Sequence, residues 1–232
     1  NEDFSLELLG GGNIRRQYIE QNDQSAPKLA IAGLYNLKNS RDPLVSSNNL
    51  SRLKSYSVYA SGQIGFRNYL FANITARNDW SSTLPAQNRS YFYPSFNGSF
   101  VATEAFDIKS EALNYLKIRG GWSKVGQVNL GPYSLLPTFG QANGFPYGSN
   151  AGFTVGNTLV SKDLKPEMTA GYEAGFDLNL FNDRFTSNLT WFHTNTTNQT
   201  VSTGVSGTTG FTSLRTNTGE TMSEGLEVTA HV

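Results

Sequence analysis

Cysteine is absent from the 232 residues, which excludes disulfide scaffolds, thiolate metal sites and cysteine nucleophiles. Histidine is nearly absent: His193 and His231 are too few for an all-histidine metal centre. Neither sign of charge prevails, because 18 Lys and Arg meet 18 Asp and Glu. That balance removes the basic footprint of a nucleic-acid binder, so no nucleic-acid partner is expected. Charged residues reach only 16%, against roughly 25% in an average soluble domain. No apolar run attains the roughly 18 residues of a membrane-spanning helix. No basic and apolar leader follows Asn1, and the chain stops inside an alternating stretch, Leu226 to Val232. We therefore expect an internal piece of a longer protein. Aromatic residues, in contrast, make up 12%, which speaks against disorder.

What the chain has is a period of two. From Tyr56 to Phe66 one face carries Tyr56, Val58, Ala60, Gly62, Ile64 and Phe66. Ser57, Tyr59, Ser61, Gln63 and Gly65 lie between them. Leu70, Ala72, Ile74 and Ala76 alternate with Phe71, Asn73, Thr75, Arg77 and Asp79. Tyr172, Ala174, Phe176, Leu178 and Leu180 alternate with Gly171, Glu173, Gly175, Asp177 and Asn179. Leu116 to Ser123 and Leu226 to Val232 repeat the pattern. Side chains two apart share a strand face, so each segment is a ribbon with one apolar and one polar side.

Such ribbons occur in soluble sandwiches and in membrane barrels. Several run for about 9 to 11 residues, the length that crosses a bilayer at a tilt of roughly 45°. Their apolar faces use small residues, such as Ala60, Ala72, Ala76 and Ala174, which fill a soluble core poorly. Their polar faces hold Arg77, Asp79, Glu173 and Asp177, costly between two sheets but comfortable beside a watery lumen. Two joints are tight, at Gly65-Phe66-Arg67-Asn68 and Phe181-Asn182-Asp183-Arg184. Two others are long, at about 81–94 and 125–164. Outer-membrane barrels alternate short turns and long external loops in this way. Tyr56, Phe66, Tyr69, Trp80, Tyr91, Phe92, Tyr93, Tyr172, Phe181 and Trp191 fall near strand ends and suit interfacial girdles. Near the N-terminus, Phe4 to Leu9 reads as a strand running into a flexible turn at Gly10-Gly11-Gly12. Ile14 to Ala32 reads as loop or short helix, and Leu37 to Leu53 as polar and external.

The clusters that invite a chemical role have plainer readings. Glu173 and Asp177 share a strand face, where charge hydrates a lumen and pairs with Arg or Lys. His193, near Trp191, reads as an interfacial side chain. Pro166 in Asp163-Leu164-Lys165-Pro166-Glu167 forbids a ladder donor and disfavours helix at Lys165, so this phrase reads as a bent lead into a strand. No catalytic, metal-binding or cofactor-binding residue is assigned, no cofactor is expected, and substrate-contacting residues are left unassigned.

Four phrases together resemble one family. They are Arg77-Asn78-Asp79-Trp80-Ser81-Ser82-Thr83-Leu84-Pro85 with Tyr91-Phe92-Tyr93-Pro94-Ser95; Leu116-Lys117-Ile118-Arg119-Gly120-Gly121-Trp122-Ser123; Asp163-Leu164-Lys165-Pro166-Glu167 with Tyr172-Glu173 and Phe181-Asn182-Asp183-Arg184; and Ser223-Glu224-Gly225-Leu226-Glu227. Their order and spacing are similar to those of SusC-like TonB-dependent outer-membrane transporters (the SusC/RagA family), from about Tyr56 to Val232. Ser161-Lys162 stands where the family usually has Asn-Pro, and Gln127 where it has Asn.

The resemblance implies an all-β fold: an antiparallel transmembrane β-barrel, here about 8 to 10 strands of a roughly 22-stranded whole. It implies residues 1–232 as barrel wall, with plug domain and barrel closure outside this chain. It further implies nutrient import, of glycans or peptides, with a SusD-like surface lipoprotein and TonB, the latter acting through the plug. The site would be the cell outer membrane of a Gram-negative bacterium of the Bacteroidota type, with lipid as neighbour and no enzymatic activity. The alternative is a soluble β-sandwich carbohydrate-binding or adhesin domain. An isolated piece of barrel wall would expose unpaired edges and a lipid face, so it is expected to depend on a complete barrel.

Overall fold

The computed structural model describes residues 3–142 and 144–232. Its strands are β1 (Phe4–Ser25), β2 (Val45–Phe66), β3 (Leu70–Ser81), β4 (Ser90–Val101), β5 (Leu113–Gln127), β6 (Phe139–Gln141), β7 (Phe153–Val155), β8 (Thr158–Val160), β9 (Glu167–Leu180), β10 (Phe185–Gly204) and β11 (Ser213–His231). One sheet has the order β1-β2-β3-β4-β5-β9-β10-β11-β8. Eight long strands in it are antiparallel neighbours; β8 adds three residues in parallel to β11. β6 and β7 form a separate hairpin inside the longest loop. Among the described residues, no second sheet packs on the first and β1 does not pair with β11. A sandwich needs two facing sheets, so the soluble-sandwich alternative is overturned.

The apolar rows face outward and touch no second layer. Val58 is 58% exposed and Ile74 55%, whereas Ser57, one residue from Val58, is 6% exposed. Leu6, Leu8, Ile14, Ile64, Leu70, Phe96, Ile118, Tyr172, Leu226 and Val228 are likewise exposed. Registers place these outward residues in shared rows: Leu8, Gly62, Ile74, Phe96, Trp122 and Tyr172 are successive cross-strand partners. The polar positions between them line the concave side. This reverses the placement in a soluble domain and is what a hydrocarbon surround selects.

The short connections all lie at one end. Arg67 and Asn68 take left-handed backbone (φ 48° and 59°), and the Tyr69 N–H donates to the Phe66 carbonyl (3.2 Å). That geometry is a tight turn within a three-residue connection, 67–69, and its twist matches the strands it joins. A chain of rings marks this end: Phe4–Phe66 (4.7 Å), Phe66–Tyr69 (5.4 Å), Tyr69–Phe100 (6.0 Å) and Phe100–Phe106 (5.9 Å). At the other end, Trp80, Phe92, Trp122, Tyr172 and Trp191 face outward and step down the register from β3 to β10, as tilted strands require. Between Tyr56 and Phe66 the chain climbs ten positions. At about 3.3 Å per residue and a tilt near 45°, that is about 23 Å of height. An outer-membrane apolar band is about 25 Å tall.

Several sequence expectations need correction. The strands are longer than expected: β1 and β2 have 22 residues each, β10 has 20 and β11 has 19. Ile14 to Ser25 is strand, not loop or helix, and Val45 to Leu53 is strand rather than external coil. Above the apolar band no hydrocarbon selects one face, so the side chains carry no alternating signal. Gly10 to Gly12 is no turn; it pairs with Ala60, Tyr59 and Val58 in mid-strand. A Cβ on Gly11 would lie 2.6 Å from the Tyr59 hydroxyl, so the glycine makes room for the ring. The connection expected at about 81–94 is shorter, spanning 82–89, because Tyr91 to Pro94 belongs to β4. The long one spans 128–166 and carries β6, β7 and β8.

Candidate functional site

Two features of the wall could meet a solute: the concave polar face and the loop mass at its rim. On the concave face, β2, β3 and β4 bring Ser57, Arg77, Asp79 and Tyr93 together. The Arg77 Nε donates to Asp79 Oδ1 (2.8 Å) and its Nη2 to Ser57 Oγ (2.9 Å). The Tyr93 hydroxyl donates to Asp79 Oδ2 (2.7 Å). The guanidinium also lies 5.8 Å from the Tyr59 ring centre. Arg15, Arg77, Asp79, Tyr91 and Gln127 border a depression of about 320 Å³ just below the rim.

Lower on the same face, Arg119 Nε lies 3.7 Å from Asp177 Oδ1. Its Nη2 donates to Thr190 Oγ1 (2.6 Å) and Asn188 Oδ1 (3.3 Å), while Asn188 donates to Asp177. Glu173 borders a neighbouring depression with Arg119, Asn188 and Glu227. Glu173 and Asp177 thus both face the concave side, and Asp177 carries the ion pair with Arg119. This face is dense in hydrogen-bond donors and acceptors that satisfy one another.

His193 sits on the outward face. Its Nδ1 lies 3.5 Å from Glu224 Oε2, its ring stacks 6.3 Å from Trp191, and the Trp191 Nε1 donates to Glu224 Oε1 (3.1 Å). This is a polar patch in the aromatic row, in mid-strand rather than at a strand end, since β10 runs on to Gly204. The aromatic set at 80 and 91–93 divides by parity. Trp80 and Phe92 point outward; Tyr91 and Tyr93 point inward and stack on each other (6.1 Å). Only the outward pair can serve as girdle.

The loop mass at the rim has a small core of its own. Leu84, Leu130 and Leu164 are buried together, with Tyr91, Val128, Leu135 and Val160 against them. Leu84 and Leu164 are fully enclosed. Asn88 Nδ2 donates to the carbonyls of Asp163 (3.2 Å) and Leu164 (2.9 Å), and Gln87 Nε2 to that of Lys162 (2.6 Å). From the other side, Asn217 accepts from the Lys165 N–H (2.7 Å) and donates to the Lys165 carbonyl (3.0 Å). Glu167, which opens β9, accepts from Asn129 Nδ2 (2.8 Å) and the Thr200 N–H (3.0 Å). The segment from Asp163 to Glu167 is therefore a clamp between loops. Sequence reading missed its partners, which lie 33 to 76 positions away.

The family description "TonB dependent receptor-like, beta-barrel" matches residues 2–232. The chain belongs to this family. It is a family of outer-membrane barrels, and the match accounts for the outward apolar rows. A TonB-dependent receptor of Formosa agariphila is 24% identical over 97% of this chain and 23% of its own length. TonB-dependent receptor SusC of Bacteroides thetaiotaomicron is 32% identical over 52% of this chain and 12% of its own length. The chain thus spans about a quarter or less of these relatives. Among solved structures, the RagAB peptide importer in its closed-closed state superposes with a TM-score of 0.79 at 20% identity, over 99% of this chain and 26% of that one. The ferric-catecholate import receptor Fiu of E. coli gives 0.57 at 14% identity, over 99% of this chain and 33% of that one. The chain is thus a stretch of wall from a TonB-dependent receptor barrel, and its relatives are named as receptors and transporters.

Proposed function

We propose that this chain forms wall and outer loops of a TonB-dependent importer that takes up glycans or peptides together with a SusD-like surface lipoprotein. In this reading the connections 82–89 and 128–166 are extracellular. The plug, the TonB-contacting segment and the rest of the barrel come from the remainder of the protein. The observation that carries the reading is the height of the wall. β1 and β2, 22 residues each, run about 70 Å at 3.3 Å per residue, far more than a bilayer crossing needs. The surplus builds a vestibule that a lid protein can cap and a large polar solute can fill. The superposition on a peptide importer and the SusC relationship support the same substrate scale.

The test is made on the intact receptor in its own host. Deleting its gene should abolish uptake of one fluorescent oligosaccharide or oligopeptide pool. Removing TonB should have the same effect, and a surface lipoprotein should co-purify with the tagged receptor. Uptake that persists without TonB would contradict the reading.

A further inference from the structure

Immediately above the apolar band, the outward face of the β1–β2 hairpin changes character. Ile14 pairs with Tyr56, which also pairs with Trp80, and these mark the outer girdle. One row higher Arg16 pairs with Lys54, and one row above that Tyr18 pairs with Arg52. All lie on the same face as Val58 and Ile64, because the pairing runs from Phe4–Phe66 to Ser25–Val45 without a register shift. Arg16, Arg52 and Lys54 are exposed, and none is in an ion pair among the described residues. The nearest carboxylate on this face, Glu20, lies at the upper margin and accepts from the Tyr18 hydroxyl (3.2 Å). Arg52 lies 5.4 Å from the Tyr18 ring centre and Lys54 4.9 Å from that of Tyr56, so both heads are held over the aromatic row.

Like charges directly opposite each other on a ladder are destabilising. The Arg16–Lys54 pair therefore costs stability unless an anion lies across it. The height names that anion. The Arg16–Lys54 row, two residues above the girdle, is about 7 Å along the strand and about 5 Å along the membrane normal, and the Tyr18–Arg52 row is about 13 Å and about 9 Å, which spans the level of glycolipid headgroups. We propose that Arg16, Arg52 and Lys54 form a binding site for the phosphate-bearing headgroup of an outer-leaflet glycolipid, with Tyr18 and Tyr56 flanking the sugar. The ligand class follows from the chemistry: three cations on one outward face match a phosphoryl dianion, and the apolar rows below receive its acyl chains.

The experiment uses the complete receptor, stripped of lipid in detergent. Native mass spectrometry then counts bound diphosphoryl lipid A and, separately, the same glycolipid with both phosphates removed. The unaltered receptor should retain the phosphorylated form selectively. An Arg16→Gln/Arg52→Gln/Lys54→Gln variant should lose about fivefold per cation, roughly a hundredfold together. Lys109→Gln, at the opposite end of the barrel, should change nothing. Equal retention of the two lipids by the unaltered receptor would overturn the proposal without any variant, so misfolding of the triple variant cannot shelter it. Equal binding by a folded triple variant would overturn it too. So would displacement of the lipid by excess inorganic phosphate, which would mark a free-anion site instead. A charge-keeping Arg16→Lys/Arg52→Lys variant should retain the selectivity.

Discussion

Replacing Ile74 by Arg in the intact receptor should cost about 2–4 kcal/mol, the penalty for a guanidinium at the bilayer midplane. Ile74 lies midway between Leu70 at the turn end and Trp80 at the girdle, points outward, and has only Gly62 and Phe96 as cross-strand neighbours. Its side chain contributes nothing to a protein core, so a soluble sheet would accept Arg there with a change within about 0.5 kcal/mol. The neighbouring Asn73→Arg supplies the internal control. Asn73 belongs to the concave row, beside Gln63 and Asn97, and water or polar protein can solvate the new charge. Urea unfolding of the receptor in lipid vesicles, followed by tryptophan fluorescence, should show the large loss for Ile74→Arg only. Equal losses at both positions would remove the distinction between the faces.

The second large effect is expected at the rim. Leu164 is fully enclosed, and truncating such a leucine costs about 2–5 kcal/mol. Leu164→Asp adds a buried unpaired charge to that loss. The loop core is distant from the membrane rows, so the strands should survive while connections 82–89 and 128–166 separate. Limited proteolysis should then cut within 128–166 in the variant and leave the unaltered receptor whole. A cut pattern unchanged by Leu164→Asp would mean that the clamp of Asn88, Leu164 and Asn217 does not hold the loops.

What was legible in the sequence follows from where water and lipid compete for side chains. From Tyr56 to Phe66 and from Tyr172 to Leu180 the bilayer demands an apolar row, so the strands announce themselves by period two. From Glu20 to Ser25 and Val45 to Leu50 both faces meet water, and just above the girdle the outward face meets polar headgroups rather than hydrocarbon, so rows such as Arg16, Tyr18, Glu20 carry no contrast. The backbone ladder continues there unseen. Gly10 to Gly12 resembled a turn because the ring of Tyr59, which fills the space above Gly11, lies 48 positions away. Pro166 correctly marked the lead into β9, whereas Asn88 and Asn217, which hold that lead, are remote. Parity with Phe96 separates Tyr91 and Tyr93 from Phe92; proximity along the chain had grouped them. The charged pair at Glu173 and Asp177 was legible as lumen-facing, but its partner Arg119 came from a strand that only the sheet order brings alongside.

Alternate residues of one strand live in different solvents. In the complete receptor, freed of any cysteine outside this cysteine-free stretch, single cysteines can carry a nitroxide at Val58, Ala60 and Ile64, and in turn at Tyr59, Ser61 and Gln63, in vesicles. Collision rates with oxygen, which concentrates in hydrocarbon, and with a water-soluble nickel chelate then report each position's surroundings. High oxygen and low nickel contact at 58, 60 and 64, reversed or suppressed for oxygen at 59, 61 and 63, is the predicted result. The same oxygen contact at all six positions, or nickel contact at 58, 60 and 64, would contradict it.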